Sequence, residues 1–324
     1  MRQWWVVPGE LGGFSELRSV AIPDPGPGEV LVAVAATTIN RGELIGRPRL
    51  VSTNPNARPA PSGIEFAGTV SVVGVDVDGW SVGDRVMGRG SACHADHVVV
   101  SERALIAVPA GLSLVDAAAI PNVFVTAHDA IVTAARFEPG ESVLVTAGSS
   151  GVGTAAIQIA RYLGASKVIA TTTSPKKAPA LLQLGASDVI DTNGDDWSTA
   201  VRDLTGGVNV VIDQVGGELA RPCLAAMATG GRFVTVGRNG GNEATIDLDR
   251  VALKRLSILG VTFRTRTPKE ALACSERFVE DLLAGFDDGS LRPVVDTTFA
   301  LENLPAAHEY MASDRQVGKI VIVT

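Results

Sequence analysis

Between residues 29 and 100 the chain alternates short apolar or β-branched runs with Gly- and Pro-rich breaks. The runs at 29–39 (EVLVAVAATTI), 68–75 (GTVSVVGV), 84–87 and 97–100 read as strands. Turn sequences at 23–29 (PDPGPGE), 55–63 (PNARPAPSG) and 77–84 (VDGWSVGD) separate them. Many short strands between such turns predict an all-β unit of sandwich or barrel type.

The pattern changes near Pro121. Strand-like runs at 142–147, 167–173, 188–191, 209–213, 231–237 and 258–262 alternate with helical stretches at 154–163, 177–184, 197–204 and 219–228. Such alternation predicts βαβ units on a parallel sheet covered on both faces. Helical spacing in the first of these helices puts Ala155, Ile159, Tyr162 and Leu163 on one buried face. Two more helices, near 269–284 and 304–312, precede a terminal strand at 319–323 (KIVIV).

The sharpest local motif is 143–153, VLVTAGSSGVG. An apolar strand runs into a tight Gly/Ser turn and then a helix. Small residues let backbone N–H groups approach a pyrophosphate, and the helix N-terminus adds partial positive charge. Its glycines are spaced GxxGxG at 148, 151 and 153. Gly151, Val152 and Gly153, with Ser149 and Ser150, form the expected phosphate cradle. The end of the next strand separates NAD from NADP. An NAD site usually carries Asp or Glu there to bond the ribose 2′-OH. This chain instead has Thr171, Thr172, Thr173, Ser174, Pro175, Lys176 and Lys177. Hydroxyls and ammonium groups suit a 2′-phosphate, so the expected cofactor is NADPH.

Composition narrows the function classes. The chain has 324 residues, 28 basic and 35 acidic, for a net charge of −7. Nucleic-acid and anionic-membrane partners need a basic field, which argues against either as the main partner, though a local basic patch is still allowed. No apolar run approaches the roughly 18–20 residues of a membrane span. The N-terminal residues MRQWWVVPGE do not read as a signal peptide, and Cys93, Cys223 and Cys274 lie far apart. A cytoplasmic protein is expected.

Several stretches together resemble the medium-chain dehydrogenase/reductase superfamily, specifically its zinc-free quinone oxidoreductase branch. They are 63–86 (GIEFAGTVSVVGVDVDGWSVGDRV), 40–47 (NRGELIGR, with Glu43 where the family has Asp) and 117–131 (AAAIPNVFVTAHDAI). The loop 147–153 (with Ser150 for a paired Gly), 210–217 (VVIDQVGG), 230–237 (GGRFVTVG), 260–266 (GVTFRTR) and 317–323 (VGKIVIV) also match. The resemblance implies an α/β fold: a Rossmann doubly wound parallel sheet plus a GroES-like, all-β-rich domain. Residues 1–122 and 290–324 would form the GroES-like substrate domain, and 123–289 the NADPH-binding domain. Cofactor and substrate would share the cleft between them, and edge strands of two cofactor domains would pair in a homodimer.

Zinc-dependent relatives take a Cys near position 40 and a His at position 64. Here these places hold Asn40 and Ile64, neither a useful zinc ligand. Cys93, His94 and His97 read as ordinary loop and surface residues. No zinc is expected. Without a metal to polarise a simple ketone, hydride delivery to a conjugated acceptor is the favoured chemistry, because a quinone or enone spreads its own developing charge.

By resemblance, Asn40 is the polar group at the nicotinamide and substrate end, weighed evenly against a backbone-bonding Asn in a turn. Glu65 would sit behind it, as a structural ion-pair member or else holding Arg47 or a cofactor group. Thr126 matches a position beside the nicotinamide or its ribose phosphate, or else caps a helix. Thr172, Ser174 and Lys177 match the surroundings of the 2′-phosphate, and a family tyrosine there is replaced by Thr192. Gly237, Asn239, Phe263 and Arg264 line the cofactor, with Phe263 and Arg264 meeting the carboxamide. Arg264 and Arg266 are alternatively dimer-surface charges. Arg315 stands near the adenosine phosphate or is an exposed helix-end charge. Arg47, Arg49 and Arg58 form the substrate mouth. Neither Tyr162 nor Tyr310 reads as a general acid.

Three functions follow. The first is NADPH-dependent reduction of a quinone or enone. The second is reduction of an enoyl thioester in polyketide or fatty-acid metabolism. The third is NADPH binding without turnover, in a structural or RNA-binding role.

Overall fold

The computed structural model describes residues 1–46, 51, 53–54, 56–194 and 196–324. It divides into two compact units, Met1–Asn122 with Pro293–Thr324, and Val123–Arg292.

The strands of the first unit begin with β1 (Arg2–Gly9), β2 (Gly12–Ser19), β3 (Glu29–Thr38), β4 (Ala60–Pro61), β5 (Glu65–Val73), β6 (Arg85–Arg89), β7 (His97–Ser101) and β8 (Leu105–Ala107). β1 pairs antiparallel with both β2 and β4. No alternation in the sequence marks the β1–β2 hairpin, because β2 is largely exposed and lacks an apolar face. β3 is the centre of the main sheet, antiparallel to both β5 and β7. Val30, Val32, Val34, Phe66, Val70, Val86, Val98 and Val100 build its core.

The second unit carries β9 (Ser142–Val145), β10 (Lys167–Thr172), β11 (Asp188–Asp191), β12 (Val208–Asp213), β13 (Met227–Thr235) and β14 (Ser257–Gly260). All pair in parallel, in the order β11-β10-β9-β12-β13-β14. Within the unit this is 3-2-1-4-5-6, the doubly wound dinucleotide-binding order, whose switch point lies between the first and fourth strands. Val143, Leu144, Val145, Val210, Val211 and Ile212 are fully buried, as a sheet covered on both faces requires.

The helix Gly151–Tyr162 follows β9 and buries a continuous stripe from Gly153 to Ala160. Tyr162 lies beyond that stripe and is 39% exposed, so the expectation of a buried ring is corrected. The chain returns to the first unit through β15 (Val295–Ala300), the helix Leu304–Ala312 and β16 (Lys319–Val323). β16 pairs in parallel with β15 and antiparallel with β3, which seats Lys319 among the interior residues of that unit. No helix among the described residues is long and apolar enough to cross a membrane.

Candidate active site

In the second unit, β9 ends in a turn through Ala147 (φ 46°), and Gly148 N–H donates to Thr171 O at 2.8 Å. Ser150 caps the following helix, its Oγ accepting from Gly153 N–H at 3.0 Å. Gly153 must be glycine: a Cβ there would lie 2.4 Å from Ala147 O and 2.7 Å from Gly148 O. The helix start therefore packs directly onto the turn, leaving its first N–H groups as an anion cradle.

The end of β10 meets this loop from one side. Thr172 Oγ1 accepts from Ser174 N–H at 3.0 Å and shapes the turn. Lys177 Nζ reaches Ser149 Oγ at 3.5 Å, so the lysine and the Gly/Ser loop share one site. Thr192 N–H donates to Thr172 O at 3.0 Å, which brings the end of β11 alongside. The carboxylate of Asp191 is occupied by Asn193, accepting from its N–H at 3.0 Å and its Nδ2 at 2.7 Å.

β12 and β13 close the other side. Asp213 is buried and accepts from Thr146 Oγ1 and from the backbone N–H groups of Val215 and Gly216. Burial pushes its carboxyl up, although those three hydrogen bonds oppose it. The next residue, Gln214, takes the Ser150 hydroxyl on Oε1 at 3.1 Å, while its Nε2 is buried without a partner. Asn239 Nδ2 donates to Gln214 O at 3.1 Å. Gly237 lies against the same carbonyl, where a Cβ would come within 2.2 Å. An orphaned donor beside an anion cradle fits a bound dinucleotide.

Thr126 is nearly buried within the helix Pro121–His128, so it does not cap that helix. Arg264 is exposed. Arg266 is not a surface charge. It lies over the Phe263 ring, 4.9 Å from its centroid, and pairs with buried Asp129 in the π turn Asp129–Ala134. A buried carboxylate needs such a partner, and that need turns the arginine inward.

In the first unit, Asn40 belongs to an interior polar network. Glu65 is fully buried. Its Oε1 accepts from Thr38 Oγ1, from Asn40 Nδ2 at 3.0 Å and from Lys319 Nζ at 2.9 Å. Its Oε2 accepts from Asn122 N–H at 2.7 Å. Lys319 Nζ also donates to Ile39 O at 3.0 Å and Asn40 Oδ1 at 2.8 Å, using all three of its donors. Asn122 Nδ2 donates to Asn40 Oδ1 at 2.9 Å. An ammonium only donates and a carboxylate only accepts, so the Asn40 amide has one allowed orientation. One Nδ2–H remains unused among the described residues. Asn40 is thus a side-chain hub as well as a backbone acceptor for Glu43. The partner of Glu65 is Lys319, which sequence reasoning passed over. A lysine opening an apolar strand was the available sign.

Arg315 is exposed and stacks over the Tyr310 ring at 4.8 Å, as a helix-end charge would. Arg58 is exposed and donates to Ala57 O at 3.0 Å. Arg47 and Arg49 lie outside the described residues.

The donor set does not fit zinc. Asn40 Oδ1 already takes two hydrogen bonds, and Ile64 has no donor atom. Cys93 and His94 are completely buried, which corrects their reading as loop and surface residues. His94 spends Nδ1 on Ser62 Oγ at 2.9 Å and Nε2 on Thr38 O at 3.1 Å. Burial pushes the Cys93 thiol well up, against thiolate formation. Among the described residues no group of three His, Cys, Asp or Glu side chains is arranged to hold a metal.

Residues 26–121 match the model for the alcohol dehydrogenase GroES-like domain, and residues 151–279 the model for zinc-binding dehydrogenase. The chain is 32% identical over 309 residues to quinone oxidoreductase-like protein 2 of Mus musculus, covering 94% of this chain and 88% of that one. It belongs to the quinone oxidoreductase branch of the medium-chain dehydrogenase/reductase superfamily. Quinone oxidoreductase from Thermus thermophilus, solved also in complex with NADPH, superimposes with a TM-score of 0.85 at 30% identity over all of both chains. The JamJ enoyl reductase superimposes with a TM-score of 0.85 at 26% identity, over 99% of this chain and 98% of that one. The chain is also 33% identical to the spectinabilin polyketide synthase system protein NorB of Streptomyces orinoci, over 99% of its own length but 14% of that protein. The superfamily membership makes the chain an oxidoreductase, with the GroES-like and Rossmann units expected of it.

Proposed function

We propose that the chain is an NADPH-dependent, zinc-independent reductase that delivers hydride to a quinone or an α,β-unsaturated carbonyl. The observation that carries the cofactor reading is Lys177 at the Gly/Ser loop, at the end of a β10 that carries no carboxylate. An ammonium there favours a 2′-phosphate over a bare 2′-hydroxyl. The NADPH complex of the Thermus relative supports the same choice.

Bound NADPH supplies the hydride. The helix start offers the N–H groups of Gly151 and Val152 to the pyrophosphate, and Thr172, Ser174 and Lys177 surround the adenosine end. Asn40 holds its spare N–H in a fixed orientation, set by Lys319, Asn122 and Glu65. That N–H donates to the acceptor's carbonyl oxygen and stabilises charge as it develops there. The acceptor's conjugation carries the rest, and solvent supplies the proton.

A second reading, reduction of an enoyl thioester, draws support from the enoyl reductase and polyketide synthase likenesses. The hydride step is the same; the acceptor's carrier differs.

We further propose a cytoplasmic homodimer with a small-molecule substrate. All three cysteines are free thiols, as a reducing compartment maintains. β14 ends the sheet with Ile258 46% exposed, and Leu248 and Leu253 beside it are each 71% exposed. An apolar sheet edge of this kind calls for a second copy.

Steady-state oxidation of NADPH with an ortho-quinone, a trans-2-enoyl thioester and a saturated ketone tests the activity. Turnover of the quinone supports the leading reading, and turnover of the thioester alone supports the second. Turnover of the ketone alone contradicts both.

A further inference from the structure

Asn40 directly precedes the helix Arg41–Gly46, a place where asparagine ordinarily caps with its side chain. Here its Oδ1 is spent on Lys319 and Asn122. Glu43 supplies the other half of a capping box: its Oε1 accepts from Asn40 N–H at 2.9 Å. The Glu43 N–H donates in turn to Asn40 O at 2.9 Å. Both backbone polar groups of Asn40 are thus closed on Glu43, and its amide is left to the interior network.

The second carboxylate oxygen of Glu43 is held as well. His308, 3% exposed on the helix Leu304–Ala312, brings Nε2 to Glu43 Oε2 at 3.0 Å. His94 Nε2 is 3.9 Å from the same oxygen and is spent on Thr38 O at 3.1 Å, so the hydrogen bond to that oxygen is His308's. Arg41 pairs with Asp314, just past the helix that carries His308. Lys319 opens the strand that follows. One C-terminal segment, 308–319, therefore reaches the Asn40 amide directly and the Asn40 backbone through Glu43.

We propose that Glu43 and His308 are positioning residues for hydride transfer: His308 fixes the Glu43 carboxylate, Glu43 fixes the Asn40 backbone, and the Asn40 amide meets the acceptor's carbonyl oxygen without serving as a helix cap. The proposal rests on the reading of Asn40 as the donor to that oxygen.

Steady-state kinetics test it, with whichever of the ortho-quinone and the trans-2-enoyl thioester the wild type reduces, well below each variant's melting temperature. Asn40→Ala should lower kcat roughly 10- to 100-fold. Glu43→Ala should lower kcat roughly 5- to 30-fold and His308→Leu roughly 3- to 10-fold, with the KM for NADPH within about twofold of wild type. Glu43→Gln keeps an acceptor for the Asn40 N–H and should hold kcat within about threefold of wild type. In the Asn40→Ala background, Glu43→Ala and His308→Leu should each lower kcat by no more than about a further twofold. Where Glu43→Ala does not fold, His308→Leu carries the same cycle. Full additional losses in that background would make the pair a support of the fold only and overturn the proposal. Wild-type kcat in Glu43→Ala and His308→Leu, or a Glu43→Gln enzyme as slow as Glu43→Ala, would overturn it as well. Wild-type kcat in Asn40→Ala, or a wild type that reduces neither acceptor, would overturn the functional reading instead, before either partner is changed.

Discussion

Lys319 Nζ lies 2.9 Å from Glu65 Oε1, with Lys319 4% exposed and Glu65 fully buried. The last strand of the chain thus delivers a counter-charge to a carboxylate that precedes it by 254 residues. Replacing the ammonium with an apolar group leaves that carboxylate without its ion partner. Lys319→Met should destabilise the protein by about 3–5 kcal/mol. The double variant Glu65→Gln, Lys319→Met should recover a good part of this, because the buried charge is then gone. Urea unfolding at neutral pH measures both. Strictly additive losses would contradict the pairing.

Glu141 and Arg232 form a two-pronged pair, Nη1 to Oε1 at 2.7 Å and Nη2 to Oε2 at 2.5 Å. Burial alone would raise the Glu141 carboxyl, but the Arg232 fork and the Glu138 N–H outweigh it and hold the group below its ordinary 4.5. A carboxyl lowered in the fold contributes stability that is fully present above the unfolded value. That stability is lost as pH falls through the folded value. Wild-type stability should therefore decline below about pH 4.5 more steeply than that of Glu141→Gln. Parallel acid limbs in thermal melts would contradict this.

Lys177 should set cofactor choice. Lys177→Ala removes the cation near Ser149 and should lower kcat/KM for NADPH by roughly 10- to 100-fold, leaving the value for NADH nearly unchanged. A uniform loss with both cofactors would assign the lysine to the fold rather than to the 2′-phosphate.

Ile258 on the outer strand β14 should report assembly. Ile258→Glu puts a charge on the exposed sheet edge, where it leaves the fold intact and opposes pairing. Sedimentation velocity should show a dimer for wild type and a monomer for the variant. A monomeric wild type, or an unaffected dimer, would remove the edge-pairing proposal.

Much of this protein is legible in its sequence because the informative patterns are local. The βαβ alternation after Pro121 and the VLVTAGSSGVG loop depend on neighbours within a dozen residues, and they form as the pattern predicts. The two-way use of Ser150, to Gly153 and to Gln214, was only half visible, since capping is local and the Gln214 contact spans 64 residues. The β1–β2 hairpin was invisible because its second strand has no buried face. Tyr162 misled because helical periodicity does not say where a buried stripe stops. Arg266 misled because its partner, Asp129, lies 137 residues away and is hidden in a π turn. Lys319 was missed for the same reason: the sequence shows a charge beside an apolar run, but only the fold shows the carboxylate it meets.

The most direct test of the account is the position of hydride delivery. A conjugated enone is reduced with NADPH carrying deuterium at nicotinamide C4, on the transferred face, and the product is read by NMR. The account predicts one deuterium on the β-carbon, with the carbonyl retained and a solvent proton on the α-carbon. Deuterium on the carbonyl carbon, with an allylic alcohol as product, would contradict it and return the enzyme to ketone chemistry.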